Sequence, residues 1–475
     1  MLKNYKKVLN RVLDDIRPNS IEKNRLEFLS KKVLDIAKNE AVKHKARPIL
    51  AGSITRDTWL PTKKEFDVFI IFPKSLSVEK LEKLGLNIGK TIIKKLKGEW
   101  IIEYAQHPYV RGKIYGTEID IVPCYKRGPG EKIKSAVDRT PFHVEYLNEN
   151  LPRKLSDDVR LLKQFCGANK IYGADAKIEG FSGYVCELLV MRYGSFMNVL
   201  KNAAKWEPGV VIDLEKFYKK EDYRQLKREF KGQALILIDP TDKTRNAAAA
   251  ISAKSFFILK KKAGKFLKKP SKEAFFEKKV EPITENDLIL AQMKRRTELL
   301  LVVFKPPKVV PDILWPQLRR FAERLEGMLK EDEFIVLRKD IYTNERDLAA
   351  ILLEMEISKL PYVNKKIGPL VFDLDDSERF IKKYKNNGLK GPFIENDFWV
   401  AEVERKFTTA RGKLVDGLTE KEKVLKKKGV PNHIAKRIEK KFDIVCENDN
   451  IMNLIKKDEN FGIFLRKYFE KESLI

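Results

Sequence analysis

The amino-acid sequence predicts an α+β protein of several domains. Its 475 residues are enough for about three domains of ordinary size, each with its own hydrophobic core. In the first part of the chain, short apolar runs typical of strands alternate with longer segments whose apolar residues have helical spacing. The last part is rich in Lys and Leu and has a mostly helical pattern. We therefore expect a mixed-sheet head, a mostly helical central domain, a third domain built on a sheet, and a helical basic tail.

The charge of the chain favours a polyanionic partner. Lys and Arg number 96 against 68 Asp and Glu, which gives a formal charge of +28. Nucleic acid is the first candidate for this partner and a membrane surface is the second. The sequence has no apolar run of about 18 residues, so we expect no membrane-spanning helix. The N-terminal segment lacks a secretory apolar core, which predicts a cytoplasmic location.

The cysteines and histidines indicate neither a disulfide framework nor a zinc site. The four cysteines lie in apolar surroundings and lack the pairing of metal ligands, so we expect them to pack in the core of a protein from a reducing compartment. They are Cys124, Cys166, Cys186 and Cys446. The four histidines are scattered along the chain.

The head is predicted to cover residues 1–140. Residues 1–46 have the pattern of two helices, which we expect to cover one side of the sheet that follows. The segment from Ser77 to Leu96 is predicted to be a helix with its leucines and isoleucines inward and its lysines outward. Two strands are predicted after it, from Trp100 to Tyr109 and from Lys113 to Pro123.

One stretch within the head carries the first chemical signal. An apolar run is followed by a turn at Gly52 and Ser53, and the chain resumes as a strand from Phe66 to Phe72. Glu65 and Asp67 stand at the start of this strand. Residues at i and i+2 of a strand project from the same face, so the two carboxylates should lie side by side. Their mutual repulsion is usually relieved by a divalent cation with oxygen ligands.

A third acid can join this pair. Asp120 lies in another apolar strand-like run, and it completes a carboxylate cluster if the two strands are neighbours in one sheet. The simpler interpretation is that Glu65 and Asp67 form a solvated strand edge and that the Gly-Ser turn is an ordinary turn. The order of turn, acid-x-acid strand and later acid resembles the nucleotidyltransferase superfamily that includes DNA polymerase beta and the poly(A) polymerases. The resemblance implies a DNA polymerase beta-like nucleotidyltransferase head.

The central domain is predicted to cover residues 141–258. Thr140 and Pro141 have the pattern of a helix cap followed by proline at the first helical position, which places His143 in the first turn. Alone, His143 is also explained as a partly buried surface residue. Ser156 is expected to cap a further helix, in which Lys163 falls at the border of the apolar face and either extends to solvent or points into a cleft.

The end of the central domain has a strand and a turn. Ala234 to Asp239 is predicted to be a strand, and Thr241 with Asp242 can cap a helix that runs through Ala250. Arg245 would then lie in the first turns of that helix, where the helix dipole and the arginine charge both favour an electronegative group. A surface arginine is the alternative interpretation.

The second half of the chain is predicted to contact RNA. Residues 259–412 follow a β-α-β-β order, which suits a ferredoxin-like or RRM-like sheet, a common RNA-contacting shape. The four elements are expected at Thr297 to Phe304, Leu314 to Leu329, Phe334 to Tyr342 and Asp347 to Ile357. Residues 413–475 form the helical basic tail.

Further motifs make the resemblance more specific. They are the Thr-Pro-Phe-His segment, the KIYGA and GFSGY segments, and the turn Asp-Pro-Thr-Asp-Lys-Thr-Arg-Asn. With the head, and in this order, they resemble the archaeal-type (class I) CCA-adding enzymes over essentially the full length. The resemblance implies template-independent addition and repair of the 3′-terminal CCA of tRNA, with CTP and ATP as substrates. It also implies two Mg²⁺ ions, contacts with the acceptor stem and T arm of tRNA, and a possible homodimer.

The resemblance assigns roles to individual residues. It assigns Glu65, Asp67 and Asp120 to the metal ions and to catalysis. It places the nucleotide against a further set, in which Ser53 and Arg56 contact the triphosphate and Arg245 faces the incoming base. The full nucleotide-binding set is Gly52, Ser53, Arg56, His143, Lys163, Tyr172 and Arg245.

Two other classes of protein remain open at this point. A poly(A) polymerase-like terminal nucleotidyltransferase, or one acting on a small molecule, would have the same three acids. The basic second half of the chain favours structured RNA over a small molecule. A non-catalytic RNA-binding protein with a decayed transferase fold is the alternative from a different class.

Overall fold

The computed structural model describes residues 2–104, 107–126 and 136–471. Two compact units divide the chain, one ending at Lys278 and the next beginning at Lys279. Within the described ranges, no helix is both long and apolar enough to cross a membrane.

The strands are β1 Arg47–Ala51, β2 Glu65–Phe72, β3 Glu99–Tyr104, β4 Pro108–Ile114, β5 Thr117–Tyr125, β6 Val210–Ile212, β7 Leu235–Asp239, β8 Asp242–Asn246, β9 Glu298–Phe304, β10 Ile335–Thr343, β11 Ala349–Ile357, β12 Val363–Leu370, β13 Lys390–Glu395, β14 Phe398–Glu404 and β15 Asp443–Val445. The α-helices are α1 Leu2–Ile16, α2 Ser20–Ala41, α3 Val78–Lys95, α4 Thr140–Asn150, α5 Ser156–Ala168, α6 Gly183–Tyr193, α7 Phe196–Ala203, α8 Tyr223–Glu229, α9 Ala253–Lys268, α10 Glu285–Arg295, α11 Pro311–Lys330, α12 Leu374–Tyr384, α13 Ala410–Leu418, α14 Glu422–Lys427, α15 Asn432–Ile438, α16 Asn448–Lys457 and α17 Glu459–Phe469.

The first unit begins with a mixed sheet in the order β1-β2-β5-β4-β3. β2 and β5 are parallel neighbours, and this register sets Asp67 opposite Asp120. The predicted neighbourhood of the two acidic strands is therefore confirmed. The side chains of α2 and α3 pack on one face of the sheet, where they bury Val33 and Ile92 against its strands.

Two predictions about the head are wrong in detail. α1 does not cover this sheet, because its apolar stripe, including Val12 and Ile16, packs into the core of the central part of the unit. The segment predicted as one strand from Trp100 to Tyr109 is two strands, because the chain reverses between β3 and β4 and pairs Tyr104 with Pro108. Asp120 lies on the predicted later strand, β5.

The central part of the first unit is mostly helical, as predicted, with the small sheet β6-β7-β8 beside the helices. Two predicted caps are wrong. Thr140 is the first helical residue of α4 and does not cap it. Ser156 is likewise the first helical residue of α5, and its hydroxyl donates to backbone carbonyls, including that of Arg56 at 3.0 Å. Ser182, by contrast, caps α6, where its hydroxyl accepts from Val185 N at 3.1 Å.

The predicted helix after Asp239 is a strand. β8 pairs antiparallel with β7 and sets Ile238 opposite Asn246. The Asn246 side chain holds the hairpin together, since its Oδ1 accepts from Leu237 N at 2.8 Å and its Nδ2 donates to Leu235 O at 2.7 Å. These bonds satisfy buried backbone groups of β7, which outweighs the local helix-cap signal.

The second unit contains a four-stranded antiparallel sheet in the order β10-β11-β9-β15. The β-α-β-β element order is confirmed, with α11 between β9 and β10. The predicted tail from residue 413 is mostly helical, but it also supplies β15 to the edge of this sheet. A second sheet, β12-β14-β13, belongs to the same unit. The domain junction predicted at residues 258 and 259 falls inside α9.

Three of the four cysteines are buried, as expected for core packing, and Cys446 is half-buried.

Candidate active site

The Gly-Ser turn lies directly against the acidic end of β2. Gly52 has a φ of 90°, a left-handed conformation that favours glycine, and it precedes a short 3₁₀ turn, Ser53–Arg56. A Cβ atom added at Gly52 would lie 3.5 Å from Asp67 Oδ2. The turn therefore brings the backbone at Gly52 beside the Asp67 carboxylate.

The three acids on β2 and β5 influence one another. Burial, together with the negative charges of Asp120 and Glu65, raises the pKa of Asp67 to about 7. Glu65 is half-exposed, with its Oε1 3.5 Å from Lys63 Nζ. The interaction among the three carboxyl groups is the one expected from strand geometry.

An arginine that the sequence analysis missed is the partner of Asp120. Arg111 lies opposite Asp120 in the β4–β5 register, and its Nε and Nη2 donate to the two carboxylate oxygens at 2.8 and 2.7 Å. Tyr109 OH accepts a further bond from Arg111 Nη2 at 3.0 Å. An antiparallel β4–β5 hairpin places Arg111 opposite Asp120. The pair could not be predicted, because the bounds of β4 were not predicted correctly.

The donor set suits a divalent cation by its chemistry. Within the described ranges, no three His, Cys, Asp or Glu side chains are grouped closely enough to hold a metal ion as they stand. Both oxygens of Asp120, which could bind a metal ion, accept hydrogen bonds from Arg111. Carboxylate oxygens are the ligands that Mg²⁺ prefers, and a carboxyl whose pKa is raised by neighbouring acids gains most from a nearby cation.

A second group of side chains surrounds Glu187 of α6, which is buried. Arg56 Nη2 lies 3.1 Å from Glu187 Oε2, and Lys163 Nζ lies 3.5 Å from Oε1. Thr58 donates its hydroxyl hydrogen to Glu187 Oε1, and Lys163 Nζ also donates to Thr58 O at 3.1 Å. Although burial raises the pKa of Glu187, the charges of Lys163 and Arg56 hold it below its usual range.

The position of Lys163 differs from the prediction. The residue is 2% exposed and lies inside the protein, not at the border of an apolar face. Its ammonium group is stabilised there by Glu187, a buried partner from α6 that helical periodicity in α5 could not reveal.

Tyr172 joins the same group. A Cβ atom added at Gly183 would lie 3.3 Å from Tyr172 OH and 3.7 Å from Lys163 Nζ. The two side chains thus meet at the first residue of α6. Burial raises the pKa of the Tyr172 hydroxyl, so it stays protonated.

A third group contains His143 and Arg245. His143 Nε2 and Arg245 Nη1 lie 2.9 and 2.5 Å from the same oxygen, Oδ2 of Asp239. The His143 ring stacks on Tyr184, with 4.0 Å between ring centroids. Their shared contact with Asp239 supports the prediction that His143 and Arg245 belong to one site. Arg245 lies on a strand, β8, and not on the predicted helix.

The helix α6 carries contacts of both the second and the third group. Tyr184 touches the Asp239 group and Glu187 touches the Arg56 group, and residues three apart lie on one helix face. Thr58, Tyr184, Glu187 and Asp239 were not predicted to be site residues, although Tyr184 and Asp239 lie within the GFSGY segment and the Asp-Pro-Thr-Asp-Lys-Thr-Arg-Asn turn.

Comparisons with known proteins decide the family. Family models match three successive parts of the chain: a nucleotidyltransferase domain at residues 29–143, the second domain of tRNA nucleotidyltransferases at 157–276, and the C-terminal domain of CCA-adding enzymes at 295–447. The CCA-adding enzyme of Methanosarcina barkeri is 35% identical over 96% of this chain and 97% of its own length. The chain belongs to the CCA-adding enzyme family.

Other relatives are similar. The CCA-adding enzymes of Methanocaldococcus jannaschii and Archaeoglobus fulgidus are 38% and 39% identical over 84% and 76% of this chain, covering 88% and 78% of their own lengths. A solved structure of the Cid1 poly(U) polymerase has 13% identity and a TM-score of 0.45 over 58% of this chain and 99% of that chain. Membership of the CCA-adding family implies nucleoside triphosphate substrates and a divalent metal.

Proposed function

We propose that this protein adds and repairs the 3′-terminal CCA of tRNA from CTP and ATP, without a nucleic-acid template. The observation that carries the proposal is the full-length match to CCA-adding enzymes, together with the acids Glu65, Asp67 and Asp120 on the neighbouring strands β2 and β5 of the head sheet. The poly(A) polymerase-like alternative has the same acids but does not explain the match at residues 295–447.

Glu65, Asp67 and Asp120 would hold two Mg²⁺ ions. When bound, Mg²⁺ would lower the pKa of the tRNA 3′-hydroxyl and neutralise charge on the departing pyrophosphate. Arg111 engages both oxygens of Asp120, so Asp120 would exchange at least one of these hydrogen bonds for a bond to the ion. The backbone at Gly52 adjoins Asp67, and Gly52 and Ser53 would receive the triphosphate.

The other two groups of side chains would bind the rest of the nucleotide. Arg56 Nε is buried and lacks a hydrogen-bond partner among the described residues, so this guanidinium has a donor left for a phosphate oxygen. Lys163 and Tyr172 lie beside it at the first residue of α6. The Arg245 side chain is 32% exposed, which leaves it accessible to the incoming base.

We assign the second unit to tRNA contacts. Its strand order, β10-β11-β9-β15, supports a ferredoxin-like domain, and the basic helices α14 and α15 would follow phosphates of the acceptor stem and T arm. An A-form stem hides base identity in its deep major groove, so recognition would be of shape and backbone. Two further predictions from the sequence, a cytoplasmic location and a possible homodimer, stay predictions.

The test of the function uses tRNA lacking its terminal CCA, with single and mixed nucleoside triphosphates. Addition of C and A that stops after three nucleotides would support the proposal. A long A tail would instead support a poly(A) polymerase, and failure to release pyrophosphate with every combination of RNA and nucleotide would support a non-catalytic RNA-binding protein. A minihelix of acceptor stem and T arm should replace full tRNA, whereas a need for the anticodon arm would contradict the assigned contacts.

A further inference from the structure

Asp239 is a shared acceptor for three side chains of the nucleotide site. It ends β7 and its side chain is completely buried. Oδ2 lies 2.9 Å from His143 Nε2 and 2.5 Å from Arg245 Nη1, and Oδ1 accepts the Tyr184 hydroxyl at 3.0 Å. The contacts come from α4, β8 and α6, so one carboxylate ties together three separate elements.

The carboxylate itself is rigidly held. Thr241 N and Oγ1 donate to Asp239 Oδ1 at 3.0 and 2.8 Å, which fixes the turn between β7 and β8. Burial alone would raise the pKa of Asp239, but the hydrogen bond and charge of His143, the Thr241 amide and the Arg245 charge hold the pKa well below its usual range. Asp239 is therefore an ionised group with a fixed position.

Arg245 depends on this anchor. Its guanidinium has five N–H donors, and the hydrogen bond found for it in the described residues is the one from Nη1 to Asp239. The side chain is 32% exposed, so without the anchor it would sample several rotamers. The ring stack of His143 on Tyr184 is likewise joined to the same carboxylate through both rings.

We propose that Asp239 is a positioning residue for nucleotide selection, which fixes the Arg245 guanidinium and the His143–Tyr184 ring stack beside the incoming base. The proposal rests on the proposed function and adds to it the group that holds the base-reading side chain in place. Asp239 touches neither the base nor the reacting atoms in this role. A purely structural acid in a hairpin would affect folding but not the ratio of rates among nucleotides.

The test compares Asp239→Asn with Arg245→Ala in single-nucleotide extension of tRNA. A charge-assisted hydrogen bond contributes about 1.5–3 kcal/mol, so Asp239→Asn should lower the kcat/KM ratio of CTP over UTP on the order of tenfold or more. The double variant should lose clearly less than the sum of the two single losses, because Asp239 acts in large part through Arg245. Asp242→Asn is the matched control, since the hydrogen bonds found for Asp242 in the described part of the chain come from Thr244 of the same hairpin, and this variant should leave the ratio unchanged.

A second variant tests the proposal even if Asp239→Asn does not fold. Tyr184→Phe keeps the ring stack and the charge but removes one bond to Asp239, and should reduce the same ratio by a smaller factor. An unchanged ratio in Tyr184→Phe and in any soluble Asp239→Asn protein would overturn the proposal, as would additive losses in the double variant with Arg245→Ala. Wild-type protein that fails to add C and A would overturn the proposed function instead, so the two failures are distinguishable.

Discussion

Replacing Glu187 with Gln should strongly destabilise the first unit. Glu187 is 2% exposed and forms ion pairs with both Arg56 and Lys163, which are also buried. Glutamine preserves the size of the side chain and an oxygen for the Thr58 hydroxyl, but it removes the negative charge. Two buried cations then lose their counter-ion.

The magnitude follows from the burial of the three groups. Removing one partner of a buried ion pair costs about 3–5 kcal/mol, because the remaining charge stays desolvated and uncompensated. Lys163→Met should cost much less, within about 1 kcal/mol, because Glu187 keeps its 3.1 Å pair with Arg56 and a desolvated cation is removed. The double variant should therefore be more stable than Glu187→Gln alone.

Amide hydrogen exchange in α6 is the appropriate measurement. The chain has two compact units, so global unfolding need not be two-state, whereas exchange reports the local opening free energy of one helix. A loss of 3 kcal/mol lowers the protection of these amides by more than about a hundredfold. A Glu187→Gln protein with protection within a few-fold of wild type, or a double variant less stable than Glu187→Gln, would refute this account of the buried charges.

Three further results are expected. Asp67→Asn and Asp120→Asn should each abolish nucleotide addition while tRNA binding, measured by filter retention, persists through phosphate contacts; retained turnover would contradict the metal assignment. Glu354 is buried, and although burial raises its pKa, hydrogen bonds from arginine, tyrosine and threonine side chains lower the pKa to about 2. The free energy of unfolding of the second unit should therefore fall by about 3 kcal/mol as the pH drops from about 4.5 to about 2. In urea unfolding, Glu354→Gln should lack this part of the pH dependence. Replacing the exposed Lys423 and Lys427 with Gln should reduce the slope of log Kd for tRNA against log salt concentration by up to about 2, and an unchanged slope would move the RNA contacts elsewhere.

The last of these tests uses point substitutions because the fold rules out a simple truncation. A chain cut after Lys413 would lose β15, which pairs with β9, and would lose α14 and α15, which pack in the core of the second unit. Such a deletion would change the salt dependence of RNA binding by unfolding the domain. The lysine-rich pattern predicted the helices of this segment, but one strand of three residues, Asp443–Val445, is too short to be recognised by periodicity.

Elements with strong local signals were predicted well. α3 has an apolar stripe and a serine cap, and β2 has a continuous apolar run, so each could be located from its own residues. The strand β8 could not, because its sequence favours a helix cap and its pairing depends on Asn246 bonding to the backbone of β7. Tertiary contacts of this kind are invisible to local pattern.

The same distinction separates the parts of the candidate site. The side-by-side acids of β2 follow from strand periodicity, and the parallel pairing of β2 with β5 confirmed that the strand of Asp120 is their neighbour. Glu187 and Asp239 have no local signature, because a buried carboxylate is recognisable only by the cations that other elements bring to it. Lys163 illustrates the point, since its spacing on α5 indicated an unusual position but not its partner.

The two parts of the candidate site are built in the same way, each around one buried carboxylate. Glu187 gathers the cations assigned to the triphosphate, and Asp239 gathers the side chains assigned to the base. Both connect to one face of α6, Glu187 directly and Asp239 through the hydroxyl of Tyr184 one turn earlier. A displacement of α6 would therefore move both groups together. Because breaking either group leaves a buried charge unpaired, we expect the contacts to resist movement of one group without the other.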